Sequence, residues 1–254
     1  MTKISAIRRV GLTAAVALLF APSAIARGER DLPKKYRQSP YMVQSLSVGY
    51  PNSGWHLRAK KLRDTPYLKV KRSSRFNQYA HPALVLMLRR SSREIGRSVK
   101  GSVMLVGDLS SERGGFLNGH RSHQSGRDAD IGFYVKNKAG KPVIGKRFLA
   151  FDAEGRAKDG SGLLFDDYRN WLLVQAWATD HRAGLSHIFV SRGVRSRLLK
   201  YAKGQKRFKK YYVQAAKLLK QPQSVSAHDD HFHVRISCPE TQLGLCHNES
   251  RVKH

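Results

Sequence analysis

Five of the chain's eleven histidines lie in two short segments. The first is Asn118-Gly119-His120-Arg121-Ser122-His123-Gln124-Ser125-Gly126-Arg127-Asp128-Ala129-Asp130, and the second is His228-Asp229-Asp230-His231-Phe232-His233. Side chains alternate along a strand, so in the second segment His231, His233 and Arg235 share one face, and Phe232, Val234 and Ile236 share the other. The apolar face belongs in a core, which turns the histidine face toward a cleft. In the first segment His123 stands on a glycine-containing loop and Asp130 on the strand after it. The loop's glycines let it fold back so that imidazole and carboxylate converge. Two histidines and one aspartate offer a zinc ion three protein ligands and leave one position for water, the pattern of a catalytic site. Such an ion makes hydroxide available near neutral pH and polarises a carbonyl, so the expected chemistry is hydrolysis.

A His-x-His pair alone is a weak signal, and the added His-x6-Asp strengthens it. His120 and His228 read either as hydrogen-bonded loop residues or as catalytic groups. Asp230 reads as a second base or as a loop carboxylate. Ser122 and Ser125 lie among histidines, but no Gly-x-Ser-x-Gly elbow is present, and a serine nucleophile would leave the His-x-His face without a use.

The elements that must position these residues follow from periodicity. Tyr41 to Arg75 carries short alternating stretches broken by Gly and Pro, read as strands and turns. His81-Pro82 opens a helix with Leu84, Leu86, Met87 and Leu88 on its apolar side. Val103 to Val106 is a short strand ended by Gly107-Asp108, and Asp128 to Val135 is a buried strand. Leu163 to Ala178 is the best helix. His187 to Val190 is a strand, two basic helical stretches run from Val194 to Ala202 and Phe208 to Leu219, and His231 to Ile236 is the last strand. Strands and helices alternate without a βαβ rhythm, which predicts an α+β fold: a small, mostly antiparallel sheet carrying the ligands, flanked by helices.

The N-terminus reads as an export signal: Lys3, Arg8 and Arg9, an apolar run from Val10 to Phe20, then Ala24-Ile25-Ala26, with cleavage expected after Ala26. The run is shorter than the roughly 20 residues a membrane span needs, and no cysteine follows it to carry a lipid. Residues 1–26 are thus read as signal peptide, 27–45 as a polar leader and 46–254 as the catalytic domain. In an oxidising compartment Cys238 and Cys246 are expected to form a local disulfide. The formal charge of +29 favours an anionic neighbour, a cell wall or a membrane surface. Export argues against nucleic acid.

The two segments resemble those of the penicillin-insensitive murein endopeptidases, within the wider group of zinc peptidases that contains lysostaphin and the D-alanyl-D-alanine peptidases. The group's His-x6-Asp is met by His123 and Asp130, and its His-x-His by His231 and His233. The closer resemblance rests on His81-Pro82, Val106-Gly107-Asp108, Asn118-Gly119-His120, Ser122-His123-Gln124, Ile188-Phe189-Val190, His228-x-x-His231-x-His233-Val234-Arg235 and Cys238-Pro239. It extends from about Leu46 onward. The resemblance implies Zn2+ held by His123, Asp130 and His233, with His231 acting as acid or base and His120 and His228 near the site. It also implies a periplasmic enzyme that hydrolyses D-alanyl–meso-diaminopimelyl cross-links of peptidoglycan. One of the many arginines, Arg235 or Arg121 for example, is expected to pair with a carboxylate of the stem peptide. The alternatives are a zinc D,D-carboxypeptidase or dipeptidase acting on uncrosslinked stems and a non-catalytic basic wall-binding protein. Familiar members of the family carry more cysteines than the two present here.

Overall fold

The computed structural model describes residues 27–221 and 228–252, so the expected signal peptide lies outside the described residues. Strands β1 (Leu46–Tyr50) and β2 (Ser53–Leu57) form an antiparallel hairpin. Then come β3 (Lys60–Lys61), β4 (Leu68–Val70) and β5 (Tyr79–Ala80), with β3 paired to β5. Helix α1 (Pro82–Ser98) precedes β6 (Met104–Val106), and a long loop leads to β7 (Asp128–Gly132). Strands β8 (Val135–Lys136), β9 (Pro142–Val143) and β10 (Leu164–Phe165) make a small antiparallel sheet. The chain continues through α2 (Asp167–Thr179), β11 (Leu185–Phe189), α3 (Arg192–Lys203), α4 (Lys209–Leu218), β12 (Leu219–Lys220) and β13 (His231–Ile236).

Six strands form the central sheet in the order β12-β11-β13-β7-β6-β4. Its inner pairs are antiparallel and its two outermost pairs parallel. The fold is therefore α+β, as the interspersed pattern predicts. Ala129, Ile131, Phe232 and Val234 are fully buried on one sheet face. Trp177 of α2 meets Phe232 edge-on, with ring centroids 5.5 Å apart, and its indole N–H donates to Ser91 of α1 at 3.0 Å. These contacts place α1 and α2 on the Phe232 face, with α3 and α4 packed on α2.

Local signals explain the helix starts. His81 caps α1 by accepting from the Ala83 amide, and Pro82 sits where a missing N–H costs nothing. The helix expected from Leu163 begins at Asp167 instead. Leu164 and Phe165 pair with Lys136 and Val135, and Asp166 caps the helix by accepting from the Arg169 amide at 3.1 Å. The strand expected to run to Val135 ends at Gly132, and its last residue, Val135, belongs to the small sheet.

Two peripheral segments brace the hairpin. Leu32 and Tyr36, from the stretch read as a leader, are buried with Leu46, Trp55, Leu57 and Leu245. Beyond β13, a disulfide joins Cys238 to Cys246. The segment it closes lies along β1: the Gly49 amide donates to the Leu245 carbonyl at 2.9 Å and the His247 amide to the Gly49 carbonyl at 3.0 Å.

Candidate metal centre

The centre is built where β7 and β13 lie side by side. Their antiparallel register sets His233 opposite Asp130, Arg235 opposite Asp128 and His231 opposite Gly132. Alternation then turns Asp128, Asp130, His231 and His233 away from the helical core. The loop before β7 brings His123 and His120 over the same face. His123 takes a left-handed backbone conformation, φ 68°, which costs a non-glycine residue about 1 kcal/mol. The cost is met locally: the Ser110 hydroxyl donates to the His123 carbonyl, and the His123 amide donates to Asp128 at 3.3 Å. Gly126, also left-handed at φ 74°, lies against the His56 imidazole, and a Cβ there would stand 2.5 Å from its Nδ1.

Asp130 is the hub. Its Oδ1 lies 3.2 Å from His123 Nε2, 3.4 Å from His233 Nδ1 and 3.4 Å from His231 Nε2, and its Oδ2 lies 3.7 Å from His120 Nδ1. The other nitrogen of each surrounding ring is engaged elsewhere. His123 Nδ1 donates to the Leu109 carbonyl at 2.6 Å, His233 Nε2 to Asp128 at 2.8 Å and His120 Nε2 to Asp108 at 3.2 Å. A carbonyl only accepts, so His123 Nδ1 carries a ring proton, and the neutral ring presents its Nε2 lone pair to Asp130. Both His123 Nε2 and Asp130 Oδ1 are buried without a hydrogen bond. Two buried lone-pair atoms 3.2 Å apart are what a cation brings together, and ligand imidazoles characteristically hand their second nitrogen to a carboxylate or carbonyl. His120, His123 and Asp130 can bring one ligand atom each within 4.8 Å of one another. The donor set fits zinc, with nitrogen and oxygen ligands on a largely buried floor.

The charges are balanced underneath. Burial works to raise the Asp128 carboxyl, but the Arg235 guanidinium beside it and the His233 bond overcome this and hold it far below the usual range. Arg235 Nε donates to Asp128 at 2.6 Å, and the side chain is almost fully buried. Arg235 is therefore tied to Asp128 through Nε, whereas Arg121 is exposed. Burial lowers the His233 imidazole. Burial would likewise lower His231, but Asp130 and Asp230 outweigh it and push it up to about 10 in the metal-free protein. His231 Nδ1 bonds Asp230 at 2.5 Å, and its ring stacks on Phe148 at 4.9 Å. Asp230 is thus placed to orient His231.

All six residues singled out from the sequence converge. The His228 ring lies 4.9 Å from that of His231 and 5.2 Å from that of His233, and its φ of 75° marks a second constrained histidine. Ser125 is fully buried and accepts from Arg127. Sequence reasoning gave no role to Asp128, Asp108 or Phe148. Asp128 was readable, since it stands two residues before Asp130 and so on the same strand face. Phe148 had no local signal. Its ring reaches His231 only because Gly107 and Gly132 leave room for it, a Cβ on Gly107 coming within 2.5 Å of the ring.

A small antiparallel-centred sheet with four histidines around one aspartate, two from a strand and two from the loop before β7, is the site of a candidate metallohydrolase. The family model described as penicillin-insensitive murein endopeptidase matches residues 47–254, and the chain belongs to that family. A penicillin-insensitive murein endopeptidase of Haemophilus influenzae is 28% identical over 198 residues, covering 72% of this chain and 60% of that protein. Proteins of the same name from two strains of Escherichia coli are 26% identical over 234 residues, 91% of this chain and 78% of theirs.

Proposed function

We propose that the chain is a zinc-dependent peptidase that hydrolyses D-alanyl–meso-diaminopimelyl cross-links of peptidoglycan, acting in the periplasm after export. The observation that carries the metal is the arrangement around Asp130: three imidazoles each give one nitrogen to a fixed acceptor and aim the other at the same carboxylate. The substrate comes from family membership, supported by relatives that carry the murein endopeptidase name.

His123, Asp130 and His233 would hold the ion, with His120 a further donor in reach. Zinc bound there supplies Lewis acidity, polarising a peptide carbonyl and making water nucleophilic near neutral pH. The chain's own residues do the rest. His231 presents Nε2 to the Asp130 side of the cleft while Asp230 holds Nδ1, so it can take a proton from attacking water and return one to the leaving amine. Phe148 keeps that ring from turning. Asp128 fixes His233 with Nδ1 toward the ion. His228 borders both rings, and this reading gives it a contact with the substrate.

The test is digestion of purified crosslinked muropeptide dimers, with and without a zinc chelator, read by mass spectrometry. Chelator-sensitive conversion to monomers is expected. Removal of a terminal D-alanine from uncrosslinked stems with dimers left intact would give the carboxypeptidase activity instead. Intact dimers and stems alongside bound zinc would refute the enzymatic assignment.

A further inference from the structure

From Arg192 to Lys220 the chain contains eleven lysines and arginines and no aspartate or glutamate. This stretch builds α3, a 3₁₀ turn at Lys206–Phe208, and α4. Helix α3 buries Val194, Leu198, Leu199 and Ala202, so helical spacing leaves Lys200 and Lys203 on its solvent side. The turn buries Phe208 and exposes Lys206 and Arg207, and α4 exposes Lys209, Lys210 and Lys217. The two helices pack on each other and on α2, so their solvent sides adjoin.

This face carries a run of cations with no acid in its own sequence. Some exposed cations elsewhere do meet acids: Arg147 pairs with Asp159, Arg156 with Asp152 and Glu154, and Lys158 with Asp229. Among the described residues of the Arg192–Lys220 stretch, Arg197 alone has an ion-pair partner, Asp167. A density of like charge that repels itself in solution is relieved by an anionic partner.

The chemistry of the face narrows that partner. Its exposed cations are mostly lysine, a point charge without the guanidinium's fixed fork, which suits mobile, irregularly placed phosphates. Tyr211 and Tyr212 are half-buried, so no open aromatic platform is offered to nucleic-acid bases, whereas Val213 is 61% exposed between lysines. Lysine stems around an apolar side chain fit the headgroup region of a bilayer. The metal-centre residues lie on the opposite side of the sheet from α2, on which α3 and α4 pack, so contact through this face leaves the cleft open.

We propose that the α3–α4 face docks the protein on an anionic lipid surface through phosphate headgroups, holding the peptidase beside a membrane. The setting rests on the extracytoplasmic placement proposed above, but the binding itself is measured without any catalytic readout.

The experiment is sedimentation of the mature protein with vesicles of phosphatidylcholine alone and of phosphatidylcholine mixed with phosphatidylglycerol, across a salt series. Binding is expected to the mixed vesicles only, weakening as salt rises. The triple variant Lys203→Gln, Lys206→Gln, Lys210→Gln is expected to bind roughly a hundred-fold more weakly, about five-fold per charge. The control triple Lys138→Gln, Lys141→Gln, Lys146→Gln removes the same charge from exposed positions elsewhere and is expected to bind as the parent does. Both triples are expected to retain the parent's unfolding midpoint and its activity on soluble muropeptides. Equal losses in the two triples, no binding to mixed vesicles, binding to neutral vesicles, or tighter binding to duplex DNA at the same ionic strength would each overturn the proposal.

Discussion

Asp128→Asn tests the architecture beneath the metal centre. The carboxylate is fully buried and accepts three bonds, from Arg235 Nε at 2.6 Å, His233 Nε2 at 2.8 Å and the His123 amide at 3.3 Å. Asparagine keeps the shape but removes the charge and turns one acceptor into a donor. Arg235 is then left buried without a counter-charge, and breaking a buried pair in this way costs about 3–5 kcal/mol. Arg235 keeps its contact with the Phe189 ring, 5.4 Å from the guanidinium carbon, so the lower end of that range is expected. His233 loses its ionic acceptor and with it the preference for a proton on Nε2. Loss of such a supporting partner lowers metal affinity by about 10–100-fold. Urea unfolding of the metal-stripped protein reads the first effect, and zinc competition with a chromophoric chelator reads the second. The double variant Asp128→Asn, Arg235→Met removes the orphaned charge, so it is expected to recover part of the stability and none of the zinc affinity. A single variant within about 1 kcal/mol of the parent, with unchanged zinc affinity, would refute the role given to Asp128.

His233→Ala is expected to abolish zinc binding, while His231→Ala keeps zinc and loses about 10²–10⁴-fold in turnover, measured on muropeptide dimers with zinc content determined in parallel. Stability is expected to fall below neutral pH. Burial lowers His56 from 6.5 to about 4, so as pH falls the unfolded chain takes up this proton first, and the stability present above the unfolded value is lost toward the folded one. The loss from His56 alone is about 2 kcal/mol by roughly pH 5, read as a shift in urea midpoint that His56→Gln should reduce. His81, also lowered to about 4 by burial, adds in the same direction.

What was legible in the sequence depended on whether the partner was local. The alternation through His231 to Ile236 separates core from cleft without any knowledge of β7, because both faces belong to one strand. Helix α1 was equally readable from its cap, its proline and its apolar spacing. The start of α2 was misread because Leu164 and Phe165 fit a helical apolar pattern, and only strand β8 competes for them. Asp166 was the signal that decides between the two. Leu32 and Tyr36 sit in a polar stretch that looks detached, and they are buried by Leu245, more than two hundred residues away. The convergence on Asp130 was readable as residue types and spacing. The engagement of each histidine's second nitrogen was not, since Leu109, Asp108 and Asp128 are acceptors that only the folded loop brings into place.

The clamp on the ligand loop comes from the far end of the chain. Arg127, wholly buried beside Asp128, donates to the His247 carbonyl at 2.6 Å and to Asn248 at 3.3 Å, just past the disulfide-closed segment. His123 and Asp130 are made about a hundred residues before His231 and His233, and their clamp is made later still. A growing chain therefore carries half a donor set on a loop that lacks this last brace until synthesis has passed residue 248. Order of manufacture thus works as a safety catch: a product that stops short of residue 233 lacks one or both of the strand histidines around Asp130, and one that stops short of residue 247 lacks the bonds that hold Arg127.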